Sequence, residues 1–240
     1  MTAPMLNALP LRLIAIDLFE RPVVLRLPFR FGVVTLTQCP QAFVRAVVEL
    51  PDGRHAQGMA AELMAPKWFD KNLALSNEDN FDQLRDVLRM ARDAYLSDAA
   101  PSSAFGHFVR HHAAHQQAAA ARGFNPLLAS YGPALLDRAV IDALCRALDV
   151  SFYQAIRRNA VGIGASLPAF AQLGSGFDLG RFLDGLAPRA SIQARHTVGL
   201  VDAITARDLR DRVNDGLPET LEEVLATYGH RYFKLSLIHI

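Results

Sequence analysis

At 240 residues the chain is long enough for one domain of barrel size or for two smaller ones. Apolar residues make up 51% and charged residues 20%, the balance of an ordinary globular protein with material for a core. The net charge of +1 gives no electrostatic reason to expect a nucleic acid or other polyanion as partner.

Cys39 and Cys145 are the only cysteines, and no CxxC or Cys/His spacing suited to zinc occurs. Two buried free thiols in a reducing compartment are expected. Residues 1–10 lack a basic stretch leading into a long apolar run, so no secretory signal is expected. No stretch approaches the ~18 consecutive apolar residues that a membrane helix needs. The expectation is a cytoplasmic protein without membrane contact.

In chain order, residues 11–27 partly alternate, interrupted by Arg21-Pro22, which predicts a strand, a bend and a second extended piece. Phe29-Arg-Phe-Gly32 precedes a β-rich run from Val33 to Thr37, and residues 42–50 alternate again. Pro51-Asp-Gly53 is a strong turn signal, with residues 54–62 returning as a further strand. The prediction is a small antiparallel meander.

Helical spacing then takes over. Ser76-Asn-Glu-Asp79 reads as a helix start, and Phe81, Leu84, Leu88, Ala91 and Tyr95 recur on one face. Residues 104–122 form an Ala- and His-rich helix that stops before Gly123. Leu135, Leu136, Ala139, Val140, Ala143, Leu144 and Ala147 line another helical face, and residues 151–158 suit one more helical piece. Strands followed by helices indicate an α+β unit.

Residues 159–190 are rich in glycine. Gly162-Ile-Gly164 and Gly174-Ser-Gly176 each lack the third glycine of a dinucleotide fingerprint, so a connection is the better reading. Residues 192–198 read as a strand ended by Gly199. Thr205-Ala-Arg-Asp208 begins a short polar helix. Gly216-Leu-Pro-Glu219 starts the last helix, with Pro218 in its first turn and Gly229 at its end. Tyr232-Phe-Lys-Leu235 is the next strand. Strand, helix, strand predicts a parallel βαβ unit.

These residues carry a resemblance. Residues 139–144 with 148–156 resemble the helix that closes the capping domain of the enolase superfamily, in its mandelate racemase/muconate lactonizing enzyme branch. Phe31-Gly32 and Gly58-Met-Ala-Ala-Glu62 resemble the two capping-domain loops that close over substrate there. Residues 217–224, then Tyr232-Phe-Lys-Leu-Ser236, resemble the first barrel helix and the second barrel strand, which in that family carries Lys-x-Lys. The expected fold is an α+β capping domain (antiparallel meander plus helical bundle) over residues 1–158. A connecting segment follows over 159–190, and then the first βαβ of a truncated (β/α) TIM-type barrel over 191–240.

The resemblance implies a small carboxylate substrate, Mg2+ as cofactor and a homo-oligomeric parent. It also implies removal of the proton next to the carboxylate by a racemase, dehydratase or cycloisomerase. Such a proton is too weakly acidic for a lone base, so a metal must stabilise the developing charge. In a barrel the reacting groups stand at the C-terminal ends of strands. The match makes Lys234 the first lysine of the motif. The second position, where the family's base usually stands, is Ser236. Phe31, Gly32, Glu62, His196 and Thr197 are the expected substrate contacts. The family's metal carboxylates come from later strands, so no metal ligand is expected in this chain, and the chain itself is expected to be inactive.

The run Leu235-Ser-Leu-Ile-His-Ile240 resembles the translation of the transposase mosaic-end adapter of sequencing libraries, CTGTCTCTTATACACATC. Residues 235–240 are therefore expected to be foreign, with the native chain continuing past Lys234. Two parallel strands alone would leave an open edge, so proteolysis from about residue 190 onward is expected.

His107, His111 and His115 recur every fourth residue on one helix face, with His112 beside them. A solvated face is the simpler expectation. A non-catalytic domain that binds a metal or a partner through these imidazoles is the alternative. Trp68 is expected to anchor sheet to helices rather than to cover a substrate. Asp137 and Asp142, five residues apart, are expected on different helix faces and so not as a catalytic pair.

Overall fold

A computed structural model describes residues 8–164 and 176–235. The chain divides into two compact units, residues 1–22 with 40–187 and residues 23–39 with 188–240.

The three-stranded sheet has β1 (Arg12–Phe31), β2 (Val34–Glu49) and β3 (His55–Leu63) in that order. β2 and β3 are antiparallel, with Val44 opposite Ala60. The bend expected within residues 11–27 is absent: β1 runs unbroken through Pro22 and Pro28. β1 is an edge strand, where a proline's missing N–H need not break a ladder. The turn after β2 forms as expected, with Gly53 at φ +81° and its N–H donating to Leu50 O at 2.9 Å. Ala42, Val44, Ala46 and Val48 are fully buried while the residues between them are not, which fixes the inner face of β2.

The helices cover that inner face. α1 (Asn77–Leu96) starts with a capping box between Ser76 and Asp79. α2 (Ala104–Ala121), the single turn α3 (Pro126–Ala129) and α4 (Tyr131–Leu148) follow. α5 (Phe152–Arg157) has its own capping box from Ser151 and Gln154, and α6 (Leu179–Asp184) is capped by Asp178. α4 is the centre of the unit, packed on β3, α1 and α2, with Leu135, Leu136 and Leu144 fully buried.

Gly58 explains how close α4 comes. A Cβ there would sit 2.1 Å from Ala139 O and Ala143 N, so only glycine admits the helix backbone. Gly58 to Glu62 is therefore not a loop, as the resemblance implied, but part of β3 pressed against a helix. Gly162 has a similar reason, since its Cβ would meet Ser103 Cβ at 2.5 Å. Gly174 lies outside the described residues.

The histidine face is also corrected. His107 and His115 are buried, not solvated. His107 Nε2 bonds Leu11 O at 2.9 Å and His115 Nε2 bonds Ala129 O at 2.8 Å. Burial pushes both imidazoles below their ordinary pKa. Neutral rings that satisfy backbone carbonyls are tying segments together. Among the described residues no three His, Cys, Asp or Glu side chains form a group that could hold a metal, so the metal-binding alternative finds no site here.

Cys39 and Cys145 are buried free thiols. Trp68 is 52% exposed, and its neighbour Phe69 packs edge-on to Tyr131 at 5.2 Å. Asp137 and Asp142 do part company. Asp137 accepts from Tyr95 Oη at 2.7 Å, tying α4 to α1, and Asp142 accepts from the Met59 N–H of β3 at 2.9 Å.

The second unit holds β4 (Arg195–Val198) and β5 (Tyr232–Leu235), paired in parallel. β4 begins at Arg195, later than the expected Ile192. The polar helix expected from Thr205 is one 3-10 turn, Ala206–Asp208, closed by a Thr205–Asp208 capping box. α7 (Leu221–Tyr228) starts after Pro218, not around it: Thr220 is the N-cap and accepts from Glu223 N–H. Glu219 is withdrawn from the helix because its carboxylate accepts from Val213 N–H and Asn214 N–H, both at 3.0 Å. Gly229 ends α7 at φ +62°. No helix among the described residues is long and apolar enough to cross a membrane.

Candidate functional site

The expected site residues fall into both units. Glu62 belongs to the first, where its carboxylate takes a hydrogen bond from Arg138 Nη1 of α4 at 3.0 Å and its carbonyl one from Tyr131 Oη at 3.4 Å. It is a strand-end carboxylate already paired with a neighbouring helix.

Phe31, Gly32, His196, Thr197 and Lys234 all lie in the second unit. Phe31 ends β1, and Gly32 opens the two-residue turn to β2 at φ +53°. That left-handed angle at the first turn position is the one a two-residue hairpin gives to glycine. The tip beside it reaches the end of β4: Leu200 N–H donates to Arg30 O at 3.2 Å. A Cβ on Gly199 would stand 3.1 Å from the Phe29 ring, so the chain leaving β4 passes close under that ring. Gly199 N–H is held by Asp202 Oδ2 at 2.7 Å, which turns the chain at this point.

Thr197 stands opposite Lys234 in the parallel register, and His196 opposite Phe233. Successive side chains on a strand point to opposite faces. Thr197 and Lys234 therefore share one face, and His196 lies on the other with Phe233. There the His196 ring stacks on His230 at 5.7 Å and meets Phe233 edge-on at 6.4 Å. Thr197 and His196 cannot both face the same ligand from a regular strand. Lys234 is exposed. Ser236 lies outside the described residues.

Sequence reading passed over Arg26 and Arg30. Arg26 clamps the hairpin to the segment before α7, with Nε to Asp215 Oδ2 and Nη2 to Asp215 Oδ1, both 2.6 Å. It also donates to Leu217 O and Pro218 O, each at 3.0 Å. The guanidinium beside Asp215 holds that carboxyl down at about 2. Arg30 has a shielded Nε with no hydrogen-bond partner among the described residues. The signal was the spacing of the two arginines, four residues apart on a strand and hence on one face.

No family model matches the chain, and no curated protein matches it. Solved structures do. An enolase from Bradyrhizobium, complexed with magnesium and mandelic acid, is 15% identical and superposes with a TM-score of 0.50 over 94% of this chain and 45% of its own. A mandelate racemase/muconate lactonizing enzyme-like protein from Rubrobacter xylanophilus is 16% identical, with a TM-score of 0.40 over 61% of this chain and 33% of its own. A dipeptide epimerase from Enterococcus faecalis, complexed with Mg and L-Leu-L-Tyr, is 14% identical, with a TM-score of 0.39 over 60% and 34%. The chain thus spans 33 to 45% of the length of these structures. The Bradyrhizobium structure carries the likeness of fold. What the chain shares with it is a fold, an antiparallel three-stranded sheet with helices packed on it.

Proposed function

We infer that the chain is the capping domain and the opening βαβ of an enolase-superfamily enzyme, in its mandelate racemase/muconate lactonizing enzyme branch. Residues 1–158 would form the cap, 159–190 the connection and 191–240 the start of the barrel. The whole enzyme would remove the proton next to the carboxylate of a small substrate, as a racemase, dehydratase or cycloisomerase. The observation that carries this reading is the element order. Sheet, helical cap, and a parallel β4–β5 pair separated by α7 follow one another in a chain that superposes over 94% of its length on an enolase. A cytoplasmic location belongs to the same reading and leans on the two free buried thiols.

In this reading Lys234 and Thr197 face the reacting end of the substrate, and the hairpin tip around Phe31 and Gly32 excludes water above it. Lys234 is exposed among the described residues. Mg2+, which the Bradyrhizobium structure contains, does not fit the residues present: no three donor side chains come together among those described. The chain alone is accordingly inactive in this proposal.

Resequencing the locus through codon 234 tests it. The expected result is an open frame that continues, replaces Leu235–Ile240 and places three carboxylates at the ends of successive strands. Several independent isolates encoding Leu235–Ile240 followed by a stop would overturn the reading.

A further inference from the structure

We propose that the cavity at the C-terminal end of α4 binds a free α-amino acid with a large apolar side chain. The cavity belongs wholly to the first unit, so the proposal is independent of the barrel reading above. It is lined by the second half of α4, the turn that follows and the start of α5. Its volume is 730 Å3, inside the range of roughly 300–1,000 Å3 usual for small-molecule sites.

The apolar part of the lining is Ile141, Cys145, Val150 and Phe152. Phe152 is 60% exposed, apolar area that an occupant would take out of water. Burial pushes the Cys145 thiol up, so it meets an occupant as a neutral group.

Two guanidinium groups and two carboxylates complete the wall. Most of their capacity is already spent on the fold. Arg138 donates to Glu62 Oε2 at 3.0 Å and to Ala134 O at 3.2 Å. Asp142 Oδ2 accepts from Met59 N–H at 2.9 Å and from Arg146 Nε at 2.8 Å. The two Nη groups of Arg146 remain, together with the Asp149 carboxylate, which makes no ion pair among the described residues. A simple anion drawn to Arg146 would also meet Asp142 and Asp149. A simple cation drawn to Asp149 would meet two guanidinium groups. Like charges repel at such range, so a molecule that carries both signs is selected over either.

The spacing narrows the choice. Arg146 and Asp149 stand three positions apart at the end of α4, which is about 4.5 Å along a helix axis. An ammonium and a carboxylate borne on one carbon suit so short a separation. The carboxylate can take the two Nη groups of Arg146 in parallel hydrogen bonds, and the ammonium pairs with Asp149. The third arm of the same carbon then lies on the apolar lining.

L-Phenylalanine is the probe, titrated into the chain while the backbone amides of residues 141–152 are followed by NMR. Those amides are expected to shift and to saturate. N-acetyl-L-phenylalanine lacks the ammonium, L-phenylalaninamide lacks the carboxylate, and L-serine lacks the apolar arm. Each is expected to bind at least about tenfold more weakly. Asp149→Asn should bind phenylalanine no better than its N-acetyl form. Position 149 has φ +51°, which asparagine tolerates, so this variant keeps the turn. Arg146→Gln should bind phenylalanine no better than the amide. An unchanged preference in either variant would overturn the proposal. So would equal binding of the four compounds, no saturable shift with phenylalanine, or shifts confined to residues outside 141–152.

Discussion

The two units are held together by different forces. In the first, Leu135, Leu136 and Leu144 of α4 are fully buried against β3 and the neighbouring helices. In the second, Ile192 is 88% exposed, and Val201, Ile204, Leu217 and Leu235 all lie open as well. What orders the second unit is polar: capping boxes at Thr205 and Thr220, the Glu219 carboxylate on two backbone N–H groups, and the Arg26 clamp. Such bonds choose a conformation well. Their net contribution to stability is small, about 1 kcal/mol each, because water offers the unfolded chain the same partners. Burial of apolar area is what stabilises a fold, and it is concentrated in the first unit.

The contrast is sharpest where a leucine is shortened. Leu136→Ala removes a fully buried side chain and is expected to cost about 2–5 kcal/mol in a denaturant or thermal melt. Leu225→Ala, on the outer face of α7 at 40% exposure, is expected to stay within about 0.5 kcal/mol. Similar costs for the two would erase the distinction between the units.

Next comes the Asp137 carboxyl of the first unit. Burial pushes it up to about 7, with the Tyr95 hydroxyl bond pulling the other way. Its folded value lies above the ordinary 3.8, so its neutral form favours the folded state. That contribution is fully present below about pH 4 and is lost as the pH rises through about 7. Unfolding of the first unit should thus become easier between about pH 4 and 7, by roughly 4 kcal/mol at most for a displacement of that size. Asp137→Asn should flatten the dependence, and an unchanged profile in that variant would assign the effect elsewhere.

The smallest effect belongs to Asp215 in the second unit, whose carboxyl Arg26 holds at about 2, below the ordinary 3.8. A depressed carboxyl contributes above about pH 4 and loses that contribution as the pH falls toward 2. Asp215→Asn should speed amide exchange in residues 213–217 at neutral pH while leaving α1 and α4 untouched. Exchange that also quickens in those helices would mean that the clamp supports both units.

Much of this architecture was legible because its signals are local. Ser76-x-x-Asp79 and Pro51-Asp-Gly53 decide their backbone within four residues, and both formed as read. Asp137 and Asp142 were separable from helix geometry alone. What stayed hidden depended on distant partners. Arg21-Pro22 suggested a bend because nothing local says that β1 lies at an edge. Residues 54–62 read as a strand, but the need for Gly58 in it was hidden, because the helix backbone that demands a glycine is some eighty residues away, at Ala139 and Ala143. The histidines looked solvated because their acceptors, Leu11 and Ala129, lie outside the helix that carries them. At the candidate site, the strand that carries Lys234 was plain, yet the separation of His196 from Thr197 needed the register with β5.

The hairpin shared between the units has a consequence for the order of folding during synthesis. Arg26 emerges from the ribosome 189 residues before its partner Asp215. Local helices and the β2–β3 ladder can form while that partner is still unmade, because short closures are faster than long ones. Until residue 215 arrives, the outer half of the hairpin, with Val34, Leu36 and two phenylalanines, has no second unit to join. For that interval the nascent chain exposes a sticky β-ribbon, the kind of surface that chaperones shield.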